Sequence, residues 1–566
     1  MSKYTGIQKE ETLKGLVHDD YFSKFGYEPN IDNIDFVVTD AKTRGELFTA
    51  EGSGSSVHYL WAEAKKGGDF YTPEVWVKKS QEYLQQVFSD NWQDEYYIWD
   101  CASGTGNLLV GITKKYNVWA STISQGDVAL MNARIDTDKD IALLPGHVFQ
   151  FDFLNDSFDK LPAELKKIID DPEKQKKLIV YINPPYAEAS SYGFAGKPQV
   201  ANETKVFHTY KNMVGAESMS ELFAQFFVRI YHLLPHAKLA SFATPIFLTS
   251  TKFIKFRAFF KAECKAGFIC RANTFDNVHG NFPISFLVWD FENKKDITEI
   301  KTDIISNDSK LKEIWNDGIK RFYPIPKQHS ITDWRSAFYS SESKTSLGYI
   351  IIVGPAIQSN SNTFITSAPA KSYINKSMVA NIAKENLADM SIYFAVRHCI
   401  EHTWINHNDL YLHPNENYKS DVDFQNNCII FTLFHGKNFI SSNGFTNYWI
   451  PFTPEQVDAK EKFESNFMSN FLKDRTLSAE AQSVYNTALA LWKYYHAKTK
   501  NNKTVSVNAS FYDIREYFQG RNDKGTMNSK SADKTYTQLL GALRDALKTL
   551  TQKIQPKVYE YGFLRE

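Results

Sequence analysis

Asn183-Pro184-Pro185-Tyr186 is the stretch of this chain whose residue types and order point most directly to chemistry. An amide with an acceptor oxygen, the carbonyl of Pro184 and a flat aromatic can together grip a planar amino group. The two oxygens accept its hydrogens while the ring of Tyr186 stacks beneath it. Pro184 and Pro185 also end whatever precedes them, because neither donates to a sheet ladder and each fixes its own φ. What precedes is the apolar run 178–182, which reads as a short strand buried on both faces. The turn is therefore expected at the carboxyl edge of a strand, where open α/β sheets bind ligands.

Three other constellations carry possible chemistry. Asp100 closes an apolar stretch at 96–100 and is followed by Gly104-Thr105-Gly106-Asn107 and a helical run from Leu108. Strand, Gly-x-Gly turn and helix open a nucleotide-binding βαβ unit, in which the glycines let the backbone approach a ligand. The full G-x-G-x-x-G spacing is missing, since position 109 is Leu, so a dinucleotide is not favoured. Near the N-terminus, Asp35 on a strand at 34–38 and Glu63 with Lys65 ending a strand at 59–62 resemble the metal site of the PD-(D/E)xK nucleases, which needs two carboxylates for Mg²⁺ and a lysine near the attacking water, although a charged strand end of this kind is commonplace. Finally, His398, Glu401 and His402 fit an H-x-x-E-H arrangement, which on one helix would put both imidazoles on a shared face. No downstream acidic ligand accompanies them, and ordinary polar contacts are the expected role, so no resident metal is expected.

These groups need elements to hold them. Strands are expected at 96–100, 118–122, 147–153, 178–182, 238–242, 267–273 and 284–289, with helical stretches between them. This alternation predicts an α/β fold with a doubly wound, mostly parallel seven-stranded sheet covered by helices on both faces. A chain of 566 residues has room for two to four domains. The expected division is 1–68, a small α/β unit ending at Gly67-Gly68, then 69–291, the sheet domain, then 292–566. The polar run 293–312 reads as the joint between the last two. The third region mixes short strands with aromatic-rich turns. From residue 471 on it carries 16 Lys and Arg against 9 Asp and Glu, in a chain with 65 of each overall. Basic loops within 498–534 suit phosphate contacts.

Apolar residues are 43% and charged residues 23% of the chain, ordinary for a soluble globular protein. With no net formal charge, any surface for a polyanion has to be local. Five cysteines without a C-x-x-C pair argue against a disulfide framework and for a reducing compartment. No basic-then-apolar signal opens the chain, and apolar runs such as 349–353 are too short to span a bilayer, so a cytoplasmic protein with no membrane partner is expected.

In order along the chain, Phe70-Tyr71-Thr72-Pro73, Asp100 with Gly104-Thr105-Gly106-Asn107, Asp152-Phe153, Asn183-Pro184-Pro185-Tyr186 and Asn281-Phe282-Pro283-Ile284 resemble the ordered motifs of the adenine-N6 DNA methyltransferases, in the order of their gamma class. More loosely, the whole chain resembles the fused restriction–modification enzymes, in which one polypeptide carries nuclease, methylase and recognition regions. The resemblance implies a Rossmann-like methyltransferase sheet, a C-terminal mixed α/β DNA-recognition region with a basic helical tail, and a small N-terminal α/β remnant of a nuclease. It implies S-adenosylmethionine as cofactor and double-stranded DNA as partner, with the chain acting as a monomer.

By the same resemblance, Tyr71, Thr72 and Pro73 close over the methionine end of the cofactor, while Asp100, Gly104 and Gly106 line its pocket. Asp152 meets the adenine amino group of the cofactor and Phe153 lies beside that ring. Asn183 and Pro184 hold the target N6 amine of a base rotated out of the duplex, Tyr186 stacks on that base, and Phe282 supplies a second aromatic. One departure stands out: the second strand lacks the acidic residue that binds the cofactor ribose, and Asp127, close by, is the expected substitute. Since only Lys66, Gly67 and Gly68 separate the Glu63–Lys65 signature from the methyltransferase opening, Asp35, Glu63 and Lys65 are expected no longer to cut DNA. Three alternatives share the Asn-Pro-Pro-Tyr turn or the motif order: an enzyme methylating glutamine side chains or RNA bases, an inert DNA-binding relic, and a working restriction–modification fusion.

Overall fold

The computed structural model describes residues 72–137, 142–185, 200–275, 278, 280–327, 329–336, 346–375 and 378–565. The expected nuclease-like unit with Asp35, Glu63 and Lys65 lies outside the described residues, as do Tyr71 and Tyr186. The chain divides into two compact units: Met1–Pro324 with Thr403–Asn408, and Ile325–His402 with Asp409–Glu566.

In the first unit, an apolar strand flanked by turns recurs along the chain, and each one enters a single sheet. β1 (Tyr97–Asp100), β2 (Val118–Thr122), β3 (Val148–Gln150), β4 (Leu178–Ile182) and β5 (Lys238–Ala243) are joined in parallel in the order β3-β2-β1-β4-β5. All five residues of β4 are buried, as expected of a central strand covered on both faces. The period-two alternation of a strand splits them between two cores. Leu178, Val180 and Ile182 face one core with the helices α3 (Lys205–Val214) and α4 (Leu222–Leu233), through residues such as Phe207, Phe223 and Phe226. Ile179 and Tyr181 face the other with α1 (Glu74–Phe88) and α2 (Gln125–Thr137), through Trp76, Leu84 and Met131. The core of this unit is therefore two apolar layers with the sheet between them.

The sheet has nine strands rather than seven. β6 (Glu263–Arg271) and β7 (Pro283–Asp290) join β5 through antiparallel pairings, and β8 (Ile300–Asn307) and β9 (Ile314–Phe322) extend the same sheet to the order β3-β2-β1-β4-β5-β7-β6-β8-β9. The stretch read as a polar joint thus contains a strand, and the compact unit runs on to Pro324. Lys301 and Asp303 interrupt the apolar alternation of β8, whose Ile300, Ile304 and Ile305 are buried. β9 is mostly exposed and carries Asp317, Lys320 and Arg321, the charged dressing that keeps an edge strand from pairing with other chains. Both features disguise strands as linker in a sequence.

In the second unit, β10 (Gly348–Ile351), β11 (Phe364–Thr366), β12 (Val379–Ile382) and β13 (Asn438–Phe439) form a four-stranded sheet in the order β12-β10-β11-β13. Five longer helices, α5 (Leu387–Cys399), α6 (Val422–Phe434), α7 (Ala479–Thr499), α8 (Phe511–Gln519) and α9 (Lys534–Glu560), share one core that includes Tyr393, Ile430, Trp492 and Leu543. α5 ends at Cys399, so Glu401 and His402 lie beyond it, and His398 pairs through Nε2 with the carbonyl of Thr363 at 2.9 Å. The H-x-x-E-H residues therefore do not share one helical face. Among the described residues no helix is long and apolar enough to cross a membrane.

Candidate active site

The strand order of the first sheet reverses at β1: β2 and β3 build out on one side, β4 and β5 on the other. In a doubly wound sheet the connecting helices leave on opposite faces at such a point, which opens a crevice at the carboxyl ends of the strands. A cavity of about 310 Å³ lies there, lined by residues that follow β1, β2, β3 and β4.

Asp100, the last residue of β1, is 1% exposed and faces this cavity. Its Oδ1 accepts a hydrogen bond from the backbone N–H of Ala102 at 3.0 Å. Burial nevertheless pushes its carboxyl pKa up to about 8, since a charged group loses more hydration than one hydrogen bond returns. The turn after it holds its shape through Gly104 at φ +50° and Gly106 at φ +83°. At Gly106 a side chain would be strained, and a Cβ would stand 3.2 Å from the Met131 Cγ and Sδ. Arg134 braces the turn by donating to the Thr105 carbonyl at 2.6 Å and the Asn107 Oδ1 at 2.9 Å.

Asp127 stands in the first turn of α2 and lines the cavity beside the end of β2. Thr122 donates to its Oδ2 at 3.2 Å, and burial raises its pKa to about 6. Asp152 follows β3 and holds the next turn closed. Its Oδ1 accepts from the N–H groups of Leu154 and Asn155 at 3.0 and 3.1 Å, and its Oδ2 from the Asn155 amide at 2.8 Å. Phe153 stacks on Phe226 of α4, with centroids 5.0 Å apart. Arg229, one turn further along α4, donates to the carbonyls of Phe153 and Asp156 and lies over the Phe153 ring at 5.2 Å.

Asn183 and Pro185 close the remaining wall. The Asn183 Nδ2 donates to Thr72 Oγ1 at 2.8 Å. Thr72 is 5% exposed and sits just ahead of α1, so the entry to the first helix and the exit of β4 meet in the cavity. With Nδ2 committed to Thr72, Oδ1 becomes the acceptor end of the amide.

The fold thus brings Thr72, Asp100, Gly104, Asp127, Asp152, Phe153, Asn183 and Pro185 to one cavity, while Pro73, Gly106 and Pro184 are not in its lining. Nor is Phe282; its ring lies 5.9 Å from His407, in the Thr403–Asn408 segment that belongs to this unit. Sequence reasoning missed Phe226 and Arg229. The available signal was a cation on the apolar side of an amphipathic helix, which has to find acceptors once buried.

The charge pattern of the lining limits its ligand. Among the described residues it carries three aspartates, Asp100, Asp127 and Asp152, and no Lys, Arg or His. A pyrophosphate would find no cation among these side chains, whereas a cation carried on an apolar, ring-bearing body would favour the ionised form of the aspartates and meet Phe153 and Leu108.

This is a mixed α/β fold with a large sheet, five of whose eight neighbouring pairings are parallel. No family model and no curated protein sequence matches the chain. Among solved structures it is similar to the DrdV–DNA complex determined by cryo-electron microscopy (16% identity over 51% of this chain and 34% of that one, TM-score 0.35). It is also similar to the type I restriction–modification methyltransferase subunit from Streptococcus thermophilus (17%, 44% and 50%, TM-score 0.28) and the type IIG restriction endonuclease BpuSI (17%, 53% and 34%, TM-score 0.28). The chain spans half or less of the length of each. At these values the likeness carries no argument about this chain, and function is read from its own site.

Proposed function

We propose that this chain is a site-specific DNA methyltransferase that methylates adenine N6 with S-adenosylmethionine. The observation that carries the reading is the cavity at the topological switch point, lined among the described residues by three aspartates and no cation, with the Asn183 amide in its wall. S-adenosylmethionine, when bound, supplies an electrophilic methyl group on a sulfonium cation. Asp100 is suited to hold its charged methionine end, a buried carboxyl that regains a counter-ion on binding. Asp127, in the first turn of α2 beside the end of β2, would substitute for the missing second-strand acid at the ribose hydroxyls. Asp152 and Phe153 suit the adenine. Tyr71 and Pro73 complete the cover with Thr72, and Gly104 and Gly106 let the backbone approach.

Asn183 Oδ1 and the Pro184 carbonyl would then accept the two hydrogens of the target amine. This directs the nitrogen lone pair toward the methyl group, with Tyr186 and Phe282 as ring partners of the extruded base. Positioning and electrostatics are what these residues contribute. Double-stranded DNA is the partner, the chain acts as a monomer, and sequence recognition belongs to the second unit.

The test is expression in a methylation-free bacterial host followed by modification-sensitive long-read sequencing. One short motif carrying N6-methyladenine is expected. An unmodified genome, together with absent S-adenosylmethionine binding by the purified protein, would overturn the reading.

Two further outcomes are expected. Thr72→Val removes the acceptor that orients the Asn183 amide, so methyl transfer should fall by about tenfold, the worth of one hydrogen bond. Thr72→Ser should retain most of the activity, and equal loss in both variants would remove the orienting role. Lys500, Lys503, Lys524 and Lys530 are exposed. Changing them to Gln should weaken binding to all DNA sequences alike and flatten the salt dependence by about one unit of slope for each phosphate no longer neutralised. Loss of sequence preference with an unchanged salt slope would refute the phosphate role.

A further inference from the structure

The second unit holds a cavity of its own, of about 360 Å³, between α5, α6, α8 and α9. Buried Phe431, Phe434 and Phe511 line it. Three cations do as well: Arg515 from α8, and Arg544 and Lys548 one turn apart on α9. None of the three joins an ion pair among the described residues; Asp545 adjoins Arg544 in α9, and three other nearby acids are engaged elsewhere. Glu516 pairs with Arg521, Glu480 with Lys553, and Asp513 with Ser441 and the backbone of Ser442 and Ser510.

Arg515 is only partly satisfied by the fold. Its Nη1 donates to the Gly436 carbonyl at 3.0 Å and its guanidinium lies over Phe511 at 5.5 Å, yet its Nε is buried without a partner. Burial, and to a smaller extent the charge of Arg544, lowers its pKa. His398 and His435 also line the cavity, with ring centroids 4.5 Å apart. Burial pushes both pKa values down, that of His435 to about 3, so they add hydrogen-bonding groups and no charge at neutral pH. Like charges gathered at one cavity, with Arg515 partly desolvated, cost free energy that an anion would return.

We infer that this cavity binds a phosphoryl group carried on an apolar or ring-bearing body, that is, a nucleotide. The guanidinium forks match phosphate geometry. The phenylalanine-lined space exceeds what a bare phosphate fills and lies within the range of small-molecule pockets. The nucleotide has two possible sources, a free one or one belonging to a bound DNA strand.

The test is calorimetric titration of the full chain with deoxycytidine 5′-monophosphate, whose base does not mimic adenine, alongside inorganic phosphate and deoxycytidine. Saturable binding of the nucleotide, weaker binding of phosphate and none of deoxycytidine are expected. The exposed pair changed together, Arg544→Gln with Lys548→Gln, should weaken nucleotide binding at least about tenfold, with S-adenosylmethionine titration and melting temperature unchanged. Competition by a short duplex would make DNA the source, and simultaneous binding of both would make it a free nucleotide. No binding at millimolar nucleotide, equal binding of deoxycytidine, or an unaffected double variant would overturn the inference. Since no readout depends on methyl transfer, failure of the methyltransferase reading would show separately, in the S-adenosylmethionine titration.

Discussion

Asn183→Ala is expected to reduce methyl transfer by about 10²–10³, the cost of losing one oriented donor or acceptor aimed at the reacting group. S-adenosylmethionine binding should stay within about threefold of the parent, because the residue would act on the target amine rather than on the cofactor. Single-turnover rates with saturating cofactor and duplex DNA read the first quantity, and calorimetry reads the second. The Thr72 contact makes the expectation sharper. If Asn183 served only to tie β4 to the entry of α1, the Ala variant would lose melting temperature while transferring methyl groups nearly as fast as the parent. Activity within about threefold would sink the assignment, being far short of the expected loss.

Asp100→Asn should have a comparable effect on a different step. The Asp100 carboxyl has a pKa of about 8 in the free protein, against 3.8 for an ordinary aspartate. A cation placed beside it favours the carboxylate, so cofactor binding below pH 8 should expel a proton and tighten as pH rises. The gain approaches about tenfold per pH unit and levels off above pH 8. Asn cannot supply the charge, so affinity should fall by about a hundredfold at pH 8, and the remaining pH dependence should be shallow.

The same shift has the opposite sign for the free protein's stability. A carboxyl whose folded pKa is raised contributes stability that is present below pH 4 and is lost as pH rises toward 8. Asp100→Asn should therefore melt higher than the parent at pH 8 without cofactor, by more than about 2 °C, and show little difference at pH 4. Scanning fluorimetry across pH 4–9, with and without S-adenosylmethionine, reads both effects. A dissociation constant that is flat from pH 6 to 9 would remove Asp100 from the cation site.

Local order along the chain made the strand-ending turn at Asn183, the Gly-x-Gly turn after Asp100 and the first seven strands legible. Proline and glycine restrict φ wherever they stand, and a strand covered on both faces has to be apolar throughout, as β4 is. Those constraints act over a few residues, so they can be read from a few residues. β8 escaped because Lys301 and Asp303 interrupt its apolar alternation, and β9 because an edge strand is dressed in charge; both resemble linkers until their pairing partners are known.

Tertiary structure alone decided which of the candidate residues meet. Strand order, which no local pattern encodes, puts the ends of β1 and β4 side by side and so brings Asp100 and Asn183 to one cavity. Burial, a property of the whole layer above and below the sheet, raises the pKa values of Asp100 and Asp127. Long-range pairing turned Thr72 from a residue of the first motif into the partner of Asn183, and it made Arg229, unremarked in the sequence, the brace of the turn after β3. The sequence by itself determined the chemistry on offer, because residue type and local backbone are short-range. Distance, desolvation and mutual orientation depend on the packing of segments more than seventy residues apart, and only the folded chain supplies them.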